Sequence, residues 1–319
     1  MIPDSFKPDS IDALTNAFNS EYEQILLESP RTYEQTPEKL RQAREKPDGT
    51  WASLHGPIVK SQIAYDRFID GPVGSVGVRI FTPDEINGIY LHIHGGGFVL
   101  GRAHLQDEKL ENIANVCKTA IVSVDYRLAP ENPYPIPLDD CEAAASWLIK
   151  NALEEFGTDK IVIGGESAGA YLSTTTLIRM RDKHEYSGFL GANLVYGAYD
   201  LTHTPSAANW GDRNLVISTT DLNWFYDHFV PKEQRKHPDV SPLYGNLKNL
   251  PQALFTVGTL DPLQDDTLFM YCRWIASGNR AELAVYPGGI HGFDTSPTPI
   301  GEKAHLTCNN FIQECLNTK

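Results

Sequence analysis

At 319 residues, with 41% hydrophobic and 21% charged side chains, the chain can form one large or two modest domains with a sizeable core, and wholesale disorder is excluded. Its 41 acidic against 27 basic residues give a net charge of −14, which with no Lys/Arg block argues against nucleic acid or an anionic membrane surface as partner. No run approaches the ~18 apolar residues of a bilayer-spanning helix.

Asp4, Asp9 and Asp12 stand where a signal peptide would need basic residues. Near the N-terminus Ile11, Leu14, Phe18, Tyr22 and Ile25 recur at steps of three and four, one face of a helix. Thr36-Pro37 opens a second helix through about Lys46, with a capping hydroxyl and Pro in the first turn, and Pro47-Asp48-Gly49 ends it. From about residue 61 the period changes. Val76, Val78 and Ile80 alternate with Ser75, Gly77 and Arg79, the pattern of a half-buried strand. Continuous apolar runs follow at 89–93, 120–124 and 161–163, each leading through a Gly- or Pro-rich turn into a helical pattern, as at 138–156 and 168–180. Further strand-like runs stand at 192–196, 253–257 and 281–286, and an amphipathic helix closes the chain from about Glu302 to Leu316.

Strand, turn and helix repeated in this way predict a mainly parallel sheet with helices on both faces. Between Asp200 and Asp239 the alternation stops, and Leu222, Phe225, Tyr226 and Phe229 mark an inserted helix. The expected organisation is an α/β core of residues 56–200 and 239–319 under a helical cap of residues 1–55 and 201–238. Five widely spaced cysteines without a Cys-x-x-Cys pair read as reduced thiols in a cytosolic protein. No His-Glu-x-x-His or Cys/His cluster of ligand spacing is present, so no metal or other cofactor is expected.

Gly165-Glu166-Ser167-Ala168-Gly169 follows the run at 161–163 and opens a helical pattern. A serine hydroxyl lifted above a sheet needs a sharp strand-to-helix turn, and glycines two residues either side let neighbouring backbones approach it. His94-Gly95-Gly96-Gly97 ends the run at 89–93; successive glycines let backbone N–H groups converge on one point, as an oxyanion hole requires. Chance would supply roughly 0.1 matches to the first pattern and ~0.005 to the second in a chain of this composition. A base and its orienting acid should follow in the order Ser, Asp, His. Asp261 in Gly258-Thr259-Leu260-Asp261-Pro262 and His291 in Gly289-Ile290-His291-Gly292-Phe293 each stand just past a strand. Asp265 and Asp266 lie a turn into the next helix, Asp294 is close to His291 in sequence, and His305 falls within the last helix, where a surface role is expected.

With Tyr126-Arg127-Leu128-Ala129-Pro130-Glu131 and Asp261-Pro262-Leu263, these motifs resemble those of the hormone-sensitive-lipase-like carboxylesterases over about residues 75–300. The resemblance implies an α/β-hydrolase fold, an N-terminal helical cap and cofactor-free ester hydrolysis. It makes Ser167 the nucleophile, His291 the base, Asp261 its partner, and the N–H groups of Gly96, Gly97 and Ala168 the oxyanion donors. It also leaves room for a homodimer through the outer strand or the last helix. The commonest family elbow reads Gly-Asp-Ser-Ala-Gly-Gly; Glu166 and Ala170 depart from it, so the family's partners for the acidic position do not carry over.

Outside the triad, Arg127 with Glu131 is expected to tie down the strand exit. The aromatic stripe of the inserted helix reads as helix core rather than substrate wall, with Trp210, Tyr22 and Tyr33 as weaker wall candidates. The expected substrate is a small ester of short to medium acyl chain. Amidases and other acyl hydrolases share the triad, and a small-molecule receptor on this scaffold would be expected to lack the histidine that His291 supplies.

Overall fold

The computed structural model describes residues 4–45 and 58–317. Its strands are β1 (Ala64–Gly71), β2 (Gly74–Phe81), β3 (Gly88–Ile93), β4 (Thr119–Asp125), β5 (Ile161–Glu166), β6 (Gly191–Val195), β7 (Ala253–Leu260) and β8 (Ala281–Ile290). They form one sheet in the order β1-β2-β4-β3-β5-β6-β7-β8. β1 and β2 pair antiparallel, as do β2 and β4, and every other pair is parallel. The continuous apolar runs of β3, β5 and β6 follow from this placement: each is covered on both faces, so every residue is buried and no alternation survives.

The helices are α1 (Ala13–Glu28), α2 (Pro37–Glu45), α3 (Asp107–Cys117), α4 (Ile136–Phe156), α5 (Ala168–His184), α6 (Pro205–Asn209), α7 (Thr219–Phe229), α8 (Gln264–Ala276) and α9 (Pro299–Asn317). Ile89, Leu91 and Ile93 point into one layer with Leu148 of α4, Leu172 of α5 and Trp274 of α8. Tyr90, Ile121, Val162 and Leu254 face the other, with Tyr22 of α1, Ile113 of α3 and Ile312 of α9. Burial of this much apolar surface at ~25 cal/mol per Å² is the main force holding the layers together. No helix of the described residues is long and apolar enough to cross a membrane.

Several local expectations are corrected. The first helix forms, but Leu14 is 68% exposed and Ile25 lies at the surface, while Thr15, Asn19, Tyr22 and Leu26 are buried. The inward face is rotated because its polar members find partners: Asn19 Nδ2 donates to the Gly288 carbonyl at 2.7 Å, and the Thr15 hydroxyl donates to the N-cap Asp12 at 2.5 Å. Arg127 does not reach Glu131. It donates to Asp140 on α4, while Glu131 pairs with Arg44 of α2 at 3.0 Å. On β2 the alternation holds for Val76, Val78 and Ile80, yet Arg79 is also buried, held by Asp107 and Asp66. The Pro47-Asp48-Gly49 stop lies outside the described residues. Thr36 caps α2, its hydroxyl accepting from the Lys39 amide at 3.3 Å.

Candidate active site

The C-terminal ends of β3, β5, β7 and β8 lie along one edge of the sheet, where ligands bind in open α/β folds. Ser167 sits between β5 and α5 at φ 56° and ψ −119°, a conformation that costs an L-residue of order 1–3 kcal/mol. Its amide donates to the Val195 carbonyl at 2.9 Å, which pins the turn to β6. The two flanking glycines are steric necessities: a Cβ on either Gly165 or Gly169 would lie 1.9 Å from the Ile93 carbonyl oxygen.

Asp261 follows β7 and is fully buried; one carboxylate oxygen accepts from the Leu263 amide at 2.8 Å, which fixes its orientation. The other stands 2.9 Å from Nδ1 of His291, and Nε2 of the same ring stands 2.9 Å from Ser167 Oγ. A carboxylate only accepts, so Nδ1 carries the proton and donates to Asp261; Nε2 is left as the acceptor for the Ser167 hydroxyl. The three side chains the sequence singled out are thus one hydrogen-bonded chain.

Beside them the strand-end glycines fold back on themselves. Gly96 and Gly97 have φ of 116° and 59°, and the Gly96 carbonyl accepts from the amides of Val99 and Leu100. Ala168 is the first residue of α5, so its N–H has no partner within the helix. Among the described residues no hydrogen-bond partner faces the amides of Gly96, Gly97 or Ala168. The His94 ring is buried against Tyr126 at 4.3 Å and donates from Nδ1 to the Gly95 carbonyl, while the Tyr126 hydroxyl donates to the His94 carbonyl. Burial of this ring lowers its pKa to about 4, so it is neutral scaffolding.

The other acids of the region have separate partners. Asp266 accepts from the amides of Tyr199 and Asp200 and from the Thr204 hydroxyl, and Asp265 accepts from the Ser206 amide. Burial raises the Asp266 pKa to about 7. Asp294 accepts from the Tyr196 hydroxyl and from Lys109. Glu166 accepts from Lys109 and from His92 Nε2, the latter at 3.2 Å. Burial pushes the Glu166 pKa up, but Lys109 and His92 outweigh it and the net shift is downward. Neither Lys109 nor Tyr196 stood out in sequence. A lone Lys on a helix reads as solvated surface, and its acidic partners lie 57 and 185 residues away.

A cavity of about 820 Å³ opens onto Ser167 and His291. Tyr22 and Leu26 of α1 and Leu222, Phe225 and Tyr226 of α7 form an apolar wall, so most of the stripe read as helix core lines the site. Phe229, the remaining member, stacks on Phe98 at 3.9 Å. Trp210 and Tyr33 do not line the cavity, and His305, expected at the surface, does. Among the described residues no group of three or more His, Cys, Asp or Glu side chains could hold a metal ion.

A sequence profile described as the alpha/beta hydrolase fold matches residues 90–295. The carboxylic ester hydrolase LipN of Mycobacterium tuberculosis is 29% identical over 253 residues, 76% of this chain and 66% of LipN. An acetyl esterase of Salmonella schwarzengrund is 28% identical over 70% of each chain. The solved structure of a hormone-sensitive lipase from a metagenome library superposes with a TM-score of 0.80 at 26% identity, covering 96% of this chain and 99% of its own. An α/β sheet with a serine elbow, glycine loop, acid and histidine on one edge, matched by a profile over most of its length, belongs to the α/β-hydrolase family, among its hormone-sensitive-lipase-like members.

Proposed function

We propose that the protein is a serine carboxylesterase in which Ser167 is the nucleophile, His291 the general base and Asp261 the residue that orients it. The observation that carries this reading is the unbroken chain Asp261–His291–Ser167, with 2.9 Å at both links. His291 takes the Ser167 proton as Oγ attacks the ester carbonyl; Asp261 holds the ring in the required tautomer and stabilises its protonated form. The oxyanion is met by the amides of Gly96, Gly97 and Ala168, the last strengthened by the positive end of α5. Each such donor is worth about 3 kcal/mol in the transition state. His291 then protonates the leaving alcohol, and water repeats the sequence on the acyl-enzyme to free the acid.

The described part of residues 1–55, together with residues 201–238, acts as a cap on the core, and the apolar wall drawn from α1 and α7 holds the acyl chain. The acyl chains admitted are short to medium in length, and the acetyl ester named for the Salmonella relative is of that class. Five free cysteines, four of them buried, support a cytosolic setting.

A fluorophosphonate probe tests the nucleophile: it labels the wild-type protein and not Ser167→Ala, and labelling of both overturns the assignment. A p-nitrophenyl ester series tests the acyl site, with kcat/KM expected to peak at short to medium chains. Fastest turnover beyond about twelve carbons contradicts it. Since the base must be neutral to take the Ser167 proton, activity should be lost on acidification, read from a pH–rate profile.

A further inference from the structure

Lys109 of α3 projects into the space between the two strand-end segments that carry Ser167 and His291. Only 14% of its side chain is exposed. Its ammonium donates to Glu166, the residue immediately before Ser167, and to Asp294 Oδ2 at 2.8 Å, three residues after His291. Each carboxylate extends the network. Glu166 also takes a hydrogen bond from Nε2 of His92, two residues before the glycine loop's own histidine. Asp294 also accepts from the Tyr196 hydroxyl, and the Tyr196 ring packs 4.6 Å from the ring of His291. One ammonium therefore joins the elbow, the base loop and, through Glu166, the strand that ends in the oxyanion glycines.

We propose that Lys109 is a positioning residue for ester hydrolysis: clamped between Glu166 and Asp294, it fixes the charge beside the Ser167–His291 pair and holds their two loops in register. The proposal rests on the triad reading above and gives the unusual Glu166 a task, since this carboxylate reaches across to α3.

Charge balance gives the inference its content. Two carboxylates and one ammonium leave a single net negative charge beside the site. Removing the ammonium doubles that charge, which opposes a developing oxyanion and favours a protonated imidazole. Burial disfavours the charged ammonium, but Asp294 and Glu166 outweigh it and raise the Lys109 pKa, so the charge persists across the working range. The groups facing it from neighbouring elements are Tyr90 and His92 on β3 and His305 and Cys308 on α9. Burial lowers the His305 pKa and raises those of Tyr90 and Cys308, so these three are neutral near pH 7, and the carboxylates of Glu166 and Asp294 are the ammonium's direct ionic partners. His291 is faced by Asp261, Ser167 and Tyr196.

The test is the pH profile of kcat/KM for a p-nitrophenyl ester, measured on the full chain as wild type, Lys109→Met, Lys109→Arg and Glu166→Gln. The acid limb should move up by ~0.5–1 pH unit in Lys109→Met and down by ~0.5 unit in Glu166→Gln, because one loses a positive and the other a negative charge. In Lys109→Met kcat should fall by ~10–100-fold with KM changed less than ~3-fold, and Lys109→Arg should restore the limb to within ~0.3 unit. A merely structural ion pair would lower the melting temperature and leave the limb in place. Limbs that stay within ~0.2 unit of wild type, or move in the same direction, overturn the proposal. If Lys109→Met does not fold, Glu166→Gln decides alone: a downward limb supports the inference and a fixed or upward one sinks it. A stationary limb with Ser167→Ala inactive defeats only the role of Lys109, whereas an active Ser167→Ala defeats the triad itself.

Discussion

The turn that carries Ser167 and the wall that α7 presents to the same cavity are built by different means. At the turn, backbone meets backbone: Gly165 and Gly169 close on the Ile93 carbonyl, and Gly95 packs against the Glu166 carbonyl with no space for a Cβ. Along the wall, side chains meet space, and Leu222, Phe225 and Tyr226 fill it from a helix whose backbone stands back from the chemistry. A close-packed backbone cannot shift without loss, while a wall of side chains can be resized one residue at a time. In the proposed reading the turn fixes the reaction and the wall fixes what is admitted to it.

That contrast can be broken first along the sheet edge that carries Ser167 and Asp261. Asp261→Asn keeps the shape but lets the His291 ring take the wrong tautomer, so kcat should drop by about 10⁴-fold in a steady-state assay with the fold intact. Gly169→Ala drives a methyl into the Ile93 carbonyl, and we expect more than ~3 kcal/mol lost in urea unfolding. A loss under ~1 kcal/mol would mean that the backbone contact is softer than its geometry implies. The buried His94 adds a pH dependence. Its folded-state pKa is depressed by burial to about 4 from 6.5, so its contribution is whole above pH 6.5 and is lost as pH falls through 4. The shift corresponds to about 3 kcal/mol. Melting temperatures measured between pH 7 and 4 should therefore decline less steeply in His94→Asn than in wild type.

The wall should respond differently. Phe225→Ala removes the ring that packs over Gly97 and enlarges the cavity; the ratio of kcat/KM for longer over shorter p-nitrophenyl esters should rise by ~10-fold. An unchanged ratio would remove α7 from the acyl site. Smallest of all, Leu14→Gln on the exposed side of α1 should change stability by less than ~0.5 kcal/mol, while Asn19→Ala costs about 1–2 kcal/mol, both read by denaturant unfolding.

The same contrast governs how much the sequence revealed. Residues 89–93, 120–124 and 161–163 read as buried strands because a sheet covered on both sides is filled mainly by apolar side chains, its buried His92 and Ser123 being paired with each other. The elbow and the glycine loop were legible because their geometry excludes a Cβ at fixed positions. β1 left no comparable mark. It is an edge strand whose Asp66, Arg67 and Asp70 interrupt any alternation, and only Ile69 is buried within it. Hydrophobic periodicity turns α1 to the wrong face because it cannot foresee that Asn19 finds the Gly288 carbonyl across the fold. Lys109 and Tyr196 were missed for the same reason: their surroundings are assembled from segments distant along the chain.

The excursion between β6 and β7 is fastened at its entrance by α8. Asp266 holds the amides of Tyr199 and Asp200 and the Thr204 hydroxyl, Asp265 holds the Ser206 amide, and both belong to the helix that starts just after Asp261. An engineer exchanging this excursion for that of another hydrolase should therefore cut after Ser206 rather than at Leu201. A chimera spliced earlier would take the Thr204 hydroxyl from buried Asp266 and the Ser206 amide from half-buried Asp265, a few residues from Asp261, and so disturb the site while meaning only to change the guest.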